Sequence, residues 1–163
     1  MNIHFANKTL KEYLEQLSRK ESVPGGGSAA ALTAALGAGL VSMVTAYSIG
    51  RKANTRAMDR QLNRILKQSE AIRKRLLELT SLDSQAYLQV SGARCLDKKT
   101  QKKAAQTARA VPLEVCKLCY QTIELTPFLA ARGNPFLLSD VQVALELLVA
   151  GFNGAMVMVR VNS

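Results

Sequence analysis

The 163-residue chain contains no tryptophan, a single histidine (His4), and only 4 Phe and 4 Tyr. One histidine rules out a Cys2His2 zinc site, and a site built from three cysteines and His4 would need three distant segments. Sparse aromatics deny the chain a base-stacking platform, and no helix-turn-helix or zinc-finger spacing is present. Acidic residues are also few: 12 Asp+Glu stand against 22 Lys+Arg, a formal net charge of +10. Such an excess attracts anions in general, whether polynucleotide, headgroup or polycarboxylate. The basic residues are spread over several segments, which argues against nucleic acid as the partner.

Cysteine is scarce and odd in number: Cys95, Cys116 and Cys119. The opening "MNIHFANKTLKEYLEQL" has no apolar h-region, so the expectation is a cytoplasmic protein with buried structural thiols. Cys116 and Cys119 form a C-x-x-C, but "PLEVCKLCYQTIEL" reads as helix interior, without the strand that precedes a thioredoxin-type motif. No metal is expected. Alternating strand patterns are missing as well, and the apolar residues are mainly Ala, Leu and Val. The predicted class is all-α, a single-domain bundle of long helices over residues 1–163.

Charge is absent altogether between Glu21 and Arg51, across "SVPGGGSAAALTAALGAGLVSMVTAYSIG". A run of about 20 apolar residues can span a bilayer. Here Ala, Gly, Ser and Thr dominate, and these gain little in hydrocarbon, so no membrane span is expected. The glycines are contiguous and no lysine follows them, which excludes a Walker loop. Three glycines at a helix start do expose backbone N–H groups to a close ligand. A helix uncharged on every face must be buried on every face, which in a domain this size predicts a small-residue interface in a homodimer or larger homo-oligomer.

The periodicity places a short amphipathic helix over 7–19, a Pro/Gly loop over 21–27 and a helix from Ser28 to about Ile49, with Gly50 as its C-terminal cap. Met58, Leu62, Ile65, Ser69, Ile72, Leu76, Leu79, Asp83, Ala86 and Val90 then recur in steps of four and three, one stripe along one long helix. "GARCLDKKTQKK" (92–103) reads as a lysine-rich break. A further helix follows from about Gln101 to Phe128, kinked or interrupted at Pro112. "ARGNPFLLSD" (131–140) reads as a loop, Ser139 and Gln142 as a capping box, and residues 140–161 as the last helix, with Asp140 favouring its dipole.

Asp83 stands where the stripe demands an apolar side chain. A carboxylate in a core is costly unless paired or hydrogen-bonded, and burial raises its pKa, so Asp83 is a functional candidate. The competing readings are that it lies beyond the packed region or pairs with Arg51 or Arg94.

"PGGGSAAALTAALGAGLVSMV" with "GRK", "LDSQAY", "VPLEV" and "RGNPFLLSDVQVAL" follow in an order that resembles the cyclodeaminase/cyclohydrolase family. That family includes the C-terminal domain of formiminotransferase-cyclodeaminase and the methenyltetrahydrofolate cyclohydrolases of the serine cycle. The resemblance covers about residues 23–162. It implies a tight helical dimer with a metal-free folate site between subunits. It also implies a catalytic aspartate at Asp83, with Gly25, Gly26, Gly27 and Ser28 lining the site and Asn134 and Asp140 near it. Arg51, Lys52 and the Lys98–Lys103 cluster are candidates for the glutamate tail of folate. The implied activity is hydrolysis of 5,10-methenyltetrahydrofolate to 10-formyltetrahydrofolate, or release of ammonia from 5-formiminotetrahydrofolate. A non-catalytic dimeric scaffold, or an anionic-ligand module of the same fold, is the alternative. The family's ending carries an asparagine and then a V-x-[IV]-N element. Asn162 matches the second asparagine, Met158 stands at the first, and Arg160 replaces an apolar residue. The family continues into another C-terminal helix, so either that helix is absent here or the chain runs on beyond Ser163.

Overall fold

In the computed structural model, which describes residues 4–162, the uncharged segment forms helix α2 (Gly26–Ser48). Two long helices flank it, α3 (Arg56–Ala93) and α6 (Leu138–Val161), and α4 (Lys98–Ile123) packs against both of them. Short helices α1 (Leu10–Leu17) and α5 (Thr126–Arg132) complete the bundle, with 3-10 turns at Phe5–Asn7 and Pro135–Leu137. Among the described residues there is no strand, so the all-α expectation holds.

Small residues set how close α2 and α6 come. A Cβ on Gly37 would lie 2.8 Å from Leu148 Cγ and 3.0 Å from the Ala144 carbonyl oxygen. A Cβ on Gly151 would lie 2.9 Å from Ala34 Cβ and 3.1 Å from the Ala30 carbonyl oxygen. Toward α3 the same helix meets the predicted stripe: Leu62, Ile65, Ile72, Leu76, Leu79 and Ala86 are buried. The one serine in that stripe is matched as well, since Ser69 Oγ and Ser42 Oγ of α2 hydrogen-bond at 2.8 Å. Each fully buried leucine contributes about 1.5–3 kcal/mol.

The ends of α2 depart little from expectation. It begins at Gly26, two residues earlier than predicted, and Gly50 follows with a positive φ of 72°, which glycine accepts without strain. The lysine-rich break shrinks to residues 94–97, because Asp97 caps α4 by accepting from the N–H groups of Lys99 and Thr100. The lysines therefore occupy the first turns of a helix. Pro112 does not interrupt α4 either. The carbonyl it leaves without a helical donor, that of Ala108, accepts instead from Asn162 Nδ2 at 3.0 Å. The helix expected to reach Phe128 ends at Ile123, and α5 starts afresh with Pro127 in its first turn.

The Ser139–Gln142 capping box does not form. The helix starts earlier, at Leu138, directly after the 3-10 turn that Asn134 caps by accepting from Phe136 N–H. The expected loop over 131–140 is therefore mostly helical turn. In α1, Leu10 and Leu14 of the expected apolar face are exposed, and Tyr13 is the buried residue. Cys116 and Cys119 are buried as expected, whereas Cys95 lies in the exposed turn before α4.

Among the described residues two segments, Gly26–Ser48 and Pro135–Val161, are long and apolar enough to cross a membrane. More than half of the first is buried inside the bundle. The second carries exposed valines at 143, 149 and 157.

Candidate active site

The N-terminus of α2 has no capping side chain of its own. Gly25 occupies the N-cap in an extended conformation, and the first-turn N–H groups need partners from elsewhere. Asp83 of α3 brings its carboxylate against this end of the helix, beside Gly27 and toward the Ser28 backbone N–H. Only glycine permits this approach at position 27: a Cβ there would lie 2.1 Å from Asp83 Oδ1 and 2.5 Å from its Cγ. The positive end of the helix dipole favours the anion.

Burial acts the other way and is the larger influence, raising the Asp83 carboxyl above the ordinary aspartate range against the Ser28 backbone N–H, which lowers it. Among the described residues no cation pairs with Asp83. Pairing with Arg51 or Arg94 is thereby ruled out as the reason for this carboxylate. A half-buried, unpaired carboxyl group with a raised pKa is suited to take up and give back a proton.

A second layer holds the helix start. The buried Ser28 Oγ and Tyr13 Oη hydrogen-bond at 3.0 Å. Burial pushes the Tyr13 hydroxyl up, the Ser28 bond lowers it, and the Asp83 charge raises it further. The Tyr13 ring meets Phe5 edge-on, with centroids 5.4 Å apart, and Phe5 N–H donates to Ser81 Oγ of α3 at 2.9 Å. Gln16 Nε2 donates to the Val23 carbonyl at 3.2 Å. The segment 5–16 thus straps the glycine loop onto α3.

Asp83 opens into a cavity of about 370 Å3. Gly25, Gly26 and Gly27 form one side, and Tyr87, Val90 and Arg94 extend the Asp83 face of α3 along another. Ala108 of α4 lies opposite, with Met158 and Asn162 one helical turn apart on α6. That volume suits a small organic ligand. Among the described residues no group of three His, Cys, Asp or Glu stands together to share a metal ion.

Sequence reasoning identified Asp83 and the three glycines, and the structure brings them into this one cavity, with Ser28 directly behind. It places Arg51, Lys52, Asn134 and Asp140 elsewhere. Arg51 Nη1 donates to the Gly133 carbonyl at 2.9 Å, and Asn134 N–H donates to Ser48 Oγ at 2.8 Å. Both lie beyond the C-terminal end of α2, and Asp140 is in the first turn of α6. At 1.5 Å per residue α2 separates the two groups by about 35 Å. Sequence reasoning assigned no site role to Tyr13, Tyr87, Val90, Ala108, Met158 and Asn162. Val90 was recoverable as a member of the α3 stripe, and Tyr87 as the residue one helical turn beyond Asp83.

A family model described as Formiminotransferase-cyclodeaminase matches residues 9–163. A methenyltetrahydrofolate cyclohydrolase of Methylorubrum extorquens is 36% identical over 167 residues, covering 96% of this chain and 80% of the relative. A formimidoyltransferase-cyclodeaminase of Rattus norvegicus is 32% identical over 94% of this chain, which spans only 30% of that longer protein. The crystal structure of a formiminotetrahydrofolate cyclodeaminase from Thermotoga maritima aligns with a TM-score of 0.92 at 26% identity. That alignment covers 96% of this chain and 79% of that one.

Proposed function

The chain belongs to the formiminotransferase-cyclodeaminase family, and on that premise we propose that it is a folate-dependent one-carbon enzyme that hydrolyses 5,10-methenyltetrahydrofolate. The observation that carries the reading is Asp83, unpaired by any cation and held on the start of α2 at the side of a ligand-sized cavity. Its charge stabilises the amidinium cation bridging N5 and N10. Water attacks that carbon while the carboxylate accepts its proton. The carbon–N5 bond then breaks, N5 takes up the proton held by Asp83, and the carbon leaves as the N10-formyl group. The net reaction consumes one water and releases one proton. No metal is called on.

A second reading uses the same carboxylate. N10 attacks the formimino carbon on N5, Asp83 carries the proton to the departing nitrogen, and ammonia leaves. The fold match to a cyclodeaminase favours it. The deciding experiment follows the loss of methenyltetrahydrofolate absorbance with the wild type and with Asp83→Asn. Turnover by the wild type alone supports the hydrolase. Ammonia release from the formimino substrate without hydrolysis selects the second reading. Inertness toward both leaves a non-catalytic scaffold of the same fold.

The proposal extends to a cytoplasmic homodimer. Leu36 and Tyr47 are 55% and 66% exposed on the uncharged α2, beside an apolar groove of about 490 Å3 that Leu32, Leu40 and Met43 share with Leu77 and Leu147. A second copy of this face is the natural cover. Twofold pairing with antiparallel α2 helices would set the Arg51–Asn134 corner of one copy beside the Asp83 cavity of the other. The three unpaired thiols fit a reducing compartment.

A further inference from the structure

Asn162 is anchored in an unusual way. Its Nδ2 donates to the Ala108 carbonyl oxygen at 3.0 Å. In an uninterrupted helix that carbonyl would accept from the N–H four residues on, but position 112 is proline, which has none. The proline ring also crowds the carbonyl of residue i−4 and turns it away from the helix axis. Asn162 belongs to the end of α6 and Ala108 to α4, and both line the Asp83 cavity.

The anchor settles which way the amide points, because only its nitrogen can donate to a carbonyl. Among the described residues Asn162 Oδ1 has no donor, and as part of a cavity-lining side chain it offers an acceptor to a ligand. An acceptor beside a catalytic carboxylate recognises a ligand that presents N–H groups next to its reacting centre. A reduced pterin does so through its 2-amino group, N3–H and N8–H. We propose that Asn162 binds the pterin ring by accepting one of these N–H bonds, and that Pro112 is the positioning residue that orients it. The inference rests on the folate reading above and names the part of folate that this wall of the cavity holds.

The measurement is a double-mutant cycle on KM and kcat for methenyltetrahydrofolate, with thermal melting of the same four proteins. Asn162→Ala removes a buried binding hydrogen bond and raises KM about tenfold or more, with kcat within a few-fold of wild type. Pro112→Ala returns an N–H to the Ala108 carbonyl and draws it back toward the helix, which leaves the Asn162 amide free to rotate. KM then rises although the melting temperature holds or increases, since alanine suits a helix interior far better than proline. In the Asn162→Ala background, Pro112→Ala changes KM no further. Asn162→Asp keeps the acceptor but loses the donor to Ala108, so it behaves like Pro112→Ala. Unchanged KM in Asn162→Ala, or additive effects in the cycle, overturn the proposal while the folate reading stands. A wild type that neither binds nor converts the folate removes that reading and the proposal together.

Discussion

Asp83 Oδ1 lies where the Cβ of any residue other than glycine at position 27 would have to stand, 2.1 Å from its ideal position. The atoms in conflict belong to the end of a rotatable side chain, so Gly27→Ala is relieved by swinging the carboxylate off the helix start. Alanine also gains about 1 kcal/mol of helix propensity over glycine. The expected outcome is a protein that melts within a few degrees of wild type and has lost most of its turnover. Melting curves and kcat on the same preparation check it.

Asp83→Asn keeps the shape and removes the base. Proton transfer of this kind is worth about 10²–10⁴-fold, and a loss within that range in kcat is expected. Wild-type activity should rise with pH through a midpoint above the ordinary aspartate value of 3.8, because burial raises the group.

Stability follows the opposite sign. A carboxyl with a raised folded pKa contributes stability that is complete below the unfolded pKa and is lost as pH rises through the folded value. Asp83→Asn has no such titration. Its stability relative to wild type should therefore improve as pH climbs through that window. Denaturant titrations at several pH values test this, and a flat difference would refute the burial argument.

Glycines inside the helices divide by what surrounds them. At Gly92 a Cβ would meet no heavy atom within 4 Å, so Gly92→Ala should stabilise by about 1 kcal/mol. Gly37 faces Leu148 Cγ at 2.8 Å and a backbone oxygen at 3.0 Å. Overpacking there costs about 1–3 kcal/mol, which outweighs the propensity gain, and Gly37→Ala should lower the denaturation midpoint.

If sites are shared across a dimer, two inactive proteins can repair one another. Asp83→Asn and Asn134→Ala, unfolded together and refolded as a mixture, should recover part of the wild-type activity, because a mixed dimer holds one intact site. Activity no greater than the sum of the two would place each site within a single copy.

The bundle was legible because its stripe was. From Met58 to Val90 the steps of four and three mark one face, and the structure buries most of it against α2. Asp83 was visible for the same reason, as the carboxylate that broke the pattern. What sequence could not show were features made by contact between distant segments. Pro112 reads locally as a kink, and the carbonyl it leaves without a helical donor, that of Ala108, finds one in Asn162, 54 residues away. Cys95 reads as one more buried thiol until the turn before α4 carries it to the surface. The 23 helical residues of α2 separate the Arg51–Asn134 group from the Asp83 cavity within one copy, a distance that sequence order does not express.

The glycines at 27, 37 and 151 also bear on how the protein can vary. A core leucine such as Leu76 tolerates exchange for methionine or isoleucine, so substitutions there grade from mild to severe. Every alternative to glycine adds at least a Cβ, and at these three positions that first carbon is already the obstacle. A saturation scan should show them as rows of uniform loss whatever residue is introduced, and those rows would trace the closest approaches of α2 with no structure in hand.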